Sequence, residues 1–442
     1  MAEEEGRGSA RNGPGPARVK NLSPRFCIAM LFMVSVLSYV DRQVPFILVE
    51  SIKADLDLSD KQVGLLTGFT FSFVYSTMAI PMAMLADRWS PKWVLSWGML
   101  LWCALTAIGG LALNFVHLIG ARIGLAVGEA AGLPASHALI SALLPPERRG
   151  VAISMASLGV PVGAMIGLGL GGWLNDVANW RVAMIGVGVP GVLFALLFMA
   201  LIPDLRPVRQ AQPASGTLLG GLAELVRLRS MRHLMLGLSI QAVGQIAVFA
   251  FTAAFLIRSH DLSASKAGLI LGLANGVSGI VALLIAGWAT DQAARRSPST
   301  VLLLPTVMFL LMGPMIVTGY LASNLAVAVM ALGIANFCAV FYLPPTFATA
   351  QRLASPENRA QASALLMVGV SLIGGSVGPF TVGWISDALE PRFGPDALRY
   401  SLSLTSLPII WGAAHLFMAS RWIDRDLARV NQWSEAPASS LS

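Results

Sequence analysis

Twelve runs of about 20 apolar residues, separated by short polar connections, leave this chain one environment in which to fold. Inside a bilayer each run must be a helix, because only a helix or a closed barrel satisfies all of its backbone polar groups there. The runs are too long and too continuously apolar for barrel strands, which alternate. The spans fall near 26–50, 62–86, 92–113, 115–143, 150–174 and 182–202, then 232–257, 265–289, 300–322, 324–350, 360–386 and 398–420, numbered 1 to 12 below. Composition agrees, with 12% charged residues where a soluble domain carries about a quarter. The expected fold class is an all-α membrane protein.

Residues 1–24 are polar, without the apolar core of a signal peptide, and read as a disordered cytoplasmic tail. Lys and Arg crowd into alternate connections, on the side shared by both termini, so the positive-inside rule expects both termini in the cytoplasm of a multi-pass cell membrane protein. The same rule accounts for the net charge of +7, and no nucleic-acid partner is expected. Cys27, Cys103 and Cys338 lie apart in apolar runs without metal-ligand spacing, so no metal is expected. The sequon Asn21-Leu22-Ser23 falls in the cytoplasmic tail, where it is not used. There is no Gly-rich phosphate loop, nucleophile elbow or His-Glu-x-x-His, and the five histidines are scattered, which argues against an enzyme, a cofactor or ATP as the energy source.

The segment 204–231 interrupts the series, with prolines giving way to an amphipathic stretch in which Leu218, Leu219, Leu222, Leu225 and Val226 oppose Glu224, Arg227 and Arg229. It divides the chain into bundles at 25–203 and 232–422, with a cytoplasmic tail at 423–442. The halves echo one another. Asp87 follows span 2 as Asp291 follows span 8, an offset of 204; Glu147 and Arg149 precede span 5 as Glu357 and Arg359 precede span 11, an offset of 210. Trp173 and Asp176 end span 5 as Trp384 and Asp387 end span 11, an offset of 211. Such consistency predicts a duplication, hence two pseudo-symmetric six-helix bundles.

Parallel six-helix repeats with Gly287-x-x-x-Asp291-x-x-x-Arg295-Arg296 after span 8, and a weaker copy at Ala83, Asp87, Arg88 and Lys92, resemble the major facilitator superfamily. That resemblance implies a cytoplasmic gate of Asp87, Arg88, Glu147, Arg149, Asp291, Arg295, Arg296, Glu357 and Arg359. Tyr39-Val40-Asp41-Arg42-Gln43, Arg122 with Gly128-Glu129-Ala130, and Pro145-Pro146-Glu147-Arg148-Arg149 with Leu158-Gly159-Val160-Pro161 resemble the Spinster family, and its bacterial members above all. It implies a proton-linked transporter working by alternating access, with a lysolipid or sphingoid-phosphate-like substrate; a small organic anion or drug is the alternative. The chain is expected to act as a monomer.

Asp41, Arg42, Arg122 and Glu129 are the charges deepest inside the apolar runs, where each costs about 2.5–3.5 kcal/mol on insertion scales and so marks function. Arg122 and Glu129, seven residues apart, share a face of span 4, while Gly124, Gly128 and Gly132 form a separate stripe for close helix packing. Span 5 carries a matching stripe at Gly159, Gly163, Gly167 and Gly171. Asp41 and Arg42 lie 100° apart on span 1, and Pro45 predicts a bend beside them. A carboxylate that gains and loses a guanidinium partner can take up and release a proton. Asp41 and Glu129 are therefore the expected proton carriers, Arg122 and then Arg42 the charge partners or head-group ligands, and His137 a possible relay. The second half offers no embedded charge, and its cavity candidates are Gln241, Gln245, Asn275, Ser278, Asn336, Phe341 and Tyr342, with Tyr39 from the first half. Pro344-Pro345 is expected to break span 10 and free the carbonyls of Val340 and Phe341.

Overall fold

The computed structural model describes residues 23–204, 218–355 and 358–435. Among these the chain is helical, without strands. Spans 1 to 10 are Pro24–Leu56, Asp60–Ala86, Pro91–Gly109, Phe115–Leu143, Arg148–Val177, Trp180–Leu201, Arg229–His260, Ala264–Ala294, Pro298–Leu321 and Leu325–Arg352. The remaining apolar stretch, Gln361–Val430, is 70 residues long and holds two crossings. It reverses at Gly394, whose φ of 56° is natural for a residue without Cβ. Twelve crossings follow, as the apolar runs require. The last helix continues to Glu435, beyond the expected start of the tail at 423, because Ile423 and Asp426 are still buried against the bundle.

The amphipathic stretch of the linker forms the helix Leu218–Arg227, which packs on spans 7 and 11 through buried Leu225. Helix ends are fixed by local chemistry. Ser59 closes a capping box with Gln62, and Asn114, Asn179, Ser263, Ser297 and Asn324 each accept an amide of the following first turn.

Both glycine stripes are used for close approach. Gly159, Gly163, Gly167 and Gly171 lie against the backbone and short side chains of span 1, and a Cβ at Gly163 would collide with the Val36 carbonyl. Gly128 faces Gly98 of span 3, where a Cβ on either would come within 2.7 Å of the other's carbonyl oxygen. Span 1 runs as helix straight through Pro45, so the expected bend does not interrupt it. Span 10 does break, at Tyr342, two residues before the first of the two prolines. The Val340 carbonyl, expected to be free, accepts the Tyr342 amide, and the Tyr342 carbonyl accepts Thr346 Oγ1 at 2.7 Å. Span 4 breaks at the corresponding depth, just after Glu129.

Candidate functional site

Span 1 carries three successive side chains into three different surroundings. Asp41 points at span 3; it is 2% exposed, accepts the Cys103 thiol at 3.7 Å, and leaves Oδ1 without a protein partner. Arg42 points at span 4, where its Nε lies 2.5 Å from Glu129 Oε1. Ser38, one turn back, donates to the same oxygen at 2.5 Å. Three rings surround the guanidinium, with Tyr39, Phe71 and Tyr75 centroids at 5.2, 5.1 and 4.7 Å. Such a cage holds a flat cation in low dielectric, where unpaired charge is costly. Gln43 turns to the centre of the molecule and lines a cavity there.

Pairing therefore differs from the sequence reading. Glu129 is held by Arg42 of span 1, not by Arg122 of its own helix. Seven residues place Arg122 and Glu129 two turns apart along the axis, about 10 Å, too far for a direct ion pair. Arg122 is 5% exposed, forms no ion pair among the described residues, and sits beside Phe71 and a void of about 20 Å³ walled by Pro45, Leu66 and Leu125. His137, half-buried past the break in span 4, makes no hydrogen bond among the described residues.

The central cavity, about 200 Å³, is walled mainly by spans 7, 8 and 10. Of the expected residues, Gln245, Asn275, Asn336 and Tyr342 line it. Asn336 is steered by Ser278 Oγ at 2.8 Å and the Asn275 carbonyl at 3.2 Å, so Ser278 acts from behind the wall. Gln241 is also behind it, fully buried and donating to Gln245 Oε1 at 2.8 Å. Phe341 does not reach the cavity; it packs on Ala282 and Ala286. Tyr39 stays on Arg42. Missed by sequence reasoning are Phe46, Phe249 and Thr252, which belong to the wall, and Gln43 as its one first-half amide. Among the described residues no acidic or basic side chain lines the cavity.

A second cluster, also missed, joins the halves at the end of the molecule opposite the termini. Arg258 of span 7 places its two terminal nitrogens 2.8 and 2.6 Å from the Asp60 carboxylate and its Nε 2.7 Å from Glu50. Lys53 and Ser386 also bind Asp60, at 2.7 and 2.6 Å. Asp387 accepts the backbone amides of Asp60 and Lys61 at 2.8 and 2.9 Å. One signal was available. Cations are scarce on this side of the spans, so Arg258 and Lys53 needed a partner to explain them.

At the termini's end, Arg88, Asp291, Arg295 and Arg296 are exposed, and Arg149 donates back to the Ser141 and Leu144 carbonyls of its own half. No ion pair joins the halves there among the described residues. Asp87, Glu147, Glu357 and Arg359, the rest of the expected gate, lie outside the described residues or side chains.

Comparison with known proteins bears on the family and the fold. The family profile described as Major Facilitator Superfamily matches residues 31–379. An MFS-type efflux pump of Mycolicibacterium smegmatis is 33% identical over 405 residues, covering 90% of this chain and 93% of that protein. Human protein spinster homolog 1 is 26% identical over 460 residues, 94% of this chain and 84% of that protein. Among solved structures, a bacterial homologue of the human lysosomal transporter Spinster, in an inward-facing and unoccupied conformation, superposes with a TM-score of 0.83 at 26% identity, covering 91% of this chain and 98% of that one.

Proposed function

We propose that this chain, which belongs to the major facilitator superfamily and has a Spinster-like structure, is a proton-coupled transporter of an amphipathic, lipid-like molecule. The observation that carries the reading is the sequence Asp41-Arg42-Gln43. One helix presents a carboxyl without a cationic partner, the guanidinium that holds Glu129, and an amide in the cavity wall. Any shift of span 1 moves all three together. In this mechanism a proton on Glu129 weakens the hold of span 4 on Arg42, while Asp41 carries its proton against span 3. Span 1 is then free to move against the cavity, and alternating access follows from rocking of the halves about it.

Cavity chemistry supports the substrate class. A wall of apolar side chains, with amides at Gln43, Gln245, Asn275 and Asn336 and no cation, suits a long apolar body with a polar group more than a small organic anion. Arg42 and Arg122, outside that wall, remain the proposed contacts for an anionic head once the site rearranges. An apolar drug is the second reading, favoured by the 33% identical relative being named an efflux pump. Because the ion pairs between the halves lie at the end opposite the termini among the described residues, and the positive-inside rule puts the termini in the cytoplasm, we take this to be the inward-facing state in a bacterial inner membrane.

Uptake or release by proteoliposomes under an imposed pH gradient tests the proposal, with lysolipids and apolar dyes as alternative cargo. Glu129→Gln should abolish gradient-driven movement in a folded protein. Unimpaired transport by that variant would remove the coupling proposal, and movement of dye but not lysolipid would select the second reading.

A further inference from the structure

Spans 7 and 12 meet, on the face of the termini, in a cluster that the transport reading leaves unused. Arg229 opens span 7 with its guanidinium 4.2 Å from the Trp422 ring centroid; Arg425, one turn along span 12, lies 5.1 Å from the same ring. One indole thus carries two like charges. Arg232 adds a third, one turn deeper on span 7 and also exposed. None of the three forms an ion pair among the described residues. The buried acid nearby, Asp426, is occupied, its Oδ2 accepting both the Ser230 amide and Ser230 Oγ at 2.7 Å. Deeper in the same seam, His233 Nδ1 and His415 Nδ1 are 3.0 Å apart. Polar groups therefore enter the seam from its rim, between helices kept close where Gly237 faces Gly412.

We infer that this corner binds the phosphate headgroup of an anionic diacyl phospholipid in the leaflet on the termini's side. Height comes first. Arg229 and Arg425 flank the ends of two apolar runs, and Trp422 beside them is the residue type that settles at headgroup level. Chemistry comes second, because forked guanidiniums without an acidic partner match a phosphate's oxygens. Placement of the acyl chains comes third. Below the cations the surface is apolar and open, with Trp411 61% and Met418 44% exposed toward where hydrocarbon lies. A soluble anion would use the cations and waste that surface. A basic corner at the seam of two helices with an apolar skirt fits a whole lipid.

Native mass spectrometry of the purified full chain, titrated with dioleoyl phosphatidylglycerol or dioleoyl phosphatidylcholine, tests this. The wild type should retain the anionic lipid over the zwitterionic one. Charge near a surface is worth about fivefold in affinity per basic residue, so R229Q/R425Q should lose roughly tenfold or more of that retention. R229K/R425K should keep part of it, and Arg429→Gln, one turn beyond Arg425, should keep nearly all. If the double variant is not monodisperse, the single variants report the same loss in smaller steps. Equal retention of the two lipids by the wild type, or undiminished retention by the double variant, overturns the inference. So does displacement by millimolar inorganic phosphate, which would make this a site for the free anion.

Discussion

Asp176 and Asp387, at equivalent places in the two halves, each reach across the molecule and accept backbone amides from the first turn of a helix in the other half. Asp176 takes the Ser265 amide at 2.9 Å, and Asp387 takes those of Asp60 and Lys61. The glycines one turn earlier repeat the relationship, with Gly172 against the Ala264 carbonyl and Gly383 against that of Asp60. Carboxylates at helix starts are favoured by the exposed amides and the helix dipole. Two seams, between spans 5 and 8 and between spans 2 and 11, therefore close the end opposite the termini with one duplicated device. The duplication is broken most consequentially at Asp60, which stands where the other seam has Ala264. Only that seam recruits Arg258, Lys53 and Ser386.

The first prediction concerns that asymmetry. Asp60→Asn removes the negative charge that Arg258 and Lys53 share and leaves Glu50 as the one acid against two cations among the described residues of the cluster, whereas Asp176→Asn weakens one amide contact. Loss of one partner of a mostly buried pair costs about 3–5 kcal/mol, enough to invert an equilibrium between conformers that differ by less. Spin labels at Asp57→Cys and Asp261→Cys, exposed on that face while the three native cysteines are buried, should move apart in Asp60→Asn and much less in Asp176→Asn. An unchanged distance distribution in Asp60→Asn would show that the cluster does not hold the face shut.

Arg42 and Glu129 should behave as a unit. Removing the guanidinium by Arg42→Ala leaves a nearly inaccessible carboxylate with only Ser38, which should cost roughly 2–4 kcal/mol after allowing for the partial exposure of Arg42. Combining Arg42→Ala with Glu129→Gln should recover most of the loss, because the charge that needed a partner is gone. Arg42→Lys keeps the charge but not the flat face against Tyr39, Phe71 and Tyr75, and should fall between. Thermal unfolding in detergent across this cycle checks the coupling, and additive losses would mean that the two residues act separately.

Much of the architecture was legible because it is written in local pattern. Apolar runs give the crossings, the offset between Asp176 and Asp387 gives the duplication, and the spacing of Gly159 to Gly171 gives the face that meets span 1. At the candidate site the embedded charges stand out singly in the sequence, but their pairing does not. Arg122 and Glu129 could be compared by angle because they share a helix, whereas Arg42 meets Glu129 only through the crossing of spans 1 and 4. The Asp60 cluster joins residues as far as 327 positions apart, and each of its charges alone resembles an ordinary span end. Phe341 was misplaced because its angle was not compared with that of Asn336. It lies within the unbroken helix Leu325–Phe341, about 140° around the axis from Asn336, and so faces away from the cavity that Asn336 lines.

Glycine contacts give a third prediction. Gly163→Ala would press a methyl into the Val36 carbonyl, and neither backbone can retreat without moving span 1 from span 5. Overpacking of this kind costs about 1–3 kcal/mol, more than the helix propensity that alanine gains. Gly169→Ala, on the same helix, meets nothing within 4 Å and should be neutral or slightly stabilising. Melting temperatures of the two variants separate the contact from the propensity, and equal shifts would deny the close approach.

Gly333 offers a way to separate cavity from proton site. It lies in the cavity wall on span 10, and a Cβ there would meet nothing within 4 Å. Gly333→Phe should therefore project a ring into the roughly 200 Å³ space without displacing the backbone. The Arg42 and Glu129 pair, on spans 1 and 4, does not border that wall and should be untouched. Cargo binding should fall by tenfold or more, the equivalent of about 1.4 kcal/mol, as the ring excludes the apolar body. Thermal stability should change little. Measuring binding of a lysolipid by thermal shift, beside the same measurement on Asn336→Ala, distinguishes filling the space from losing one polar contact. If Gly333→Phe binds cargo as well as the wild type does, the substrate path lies elsewhere between the halves.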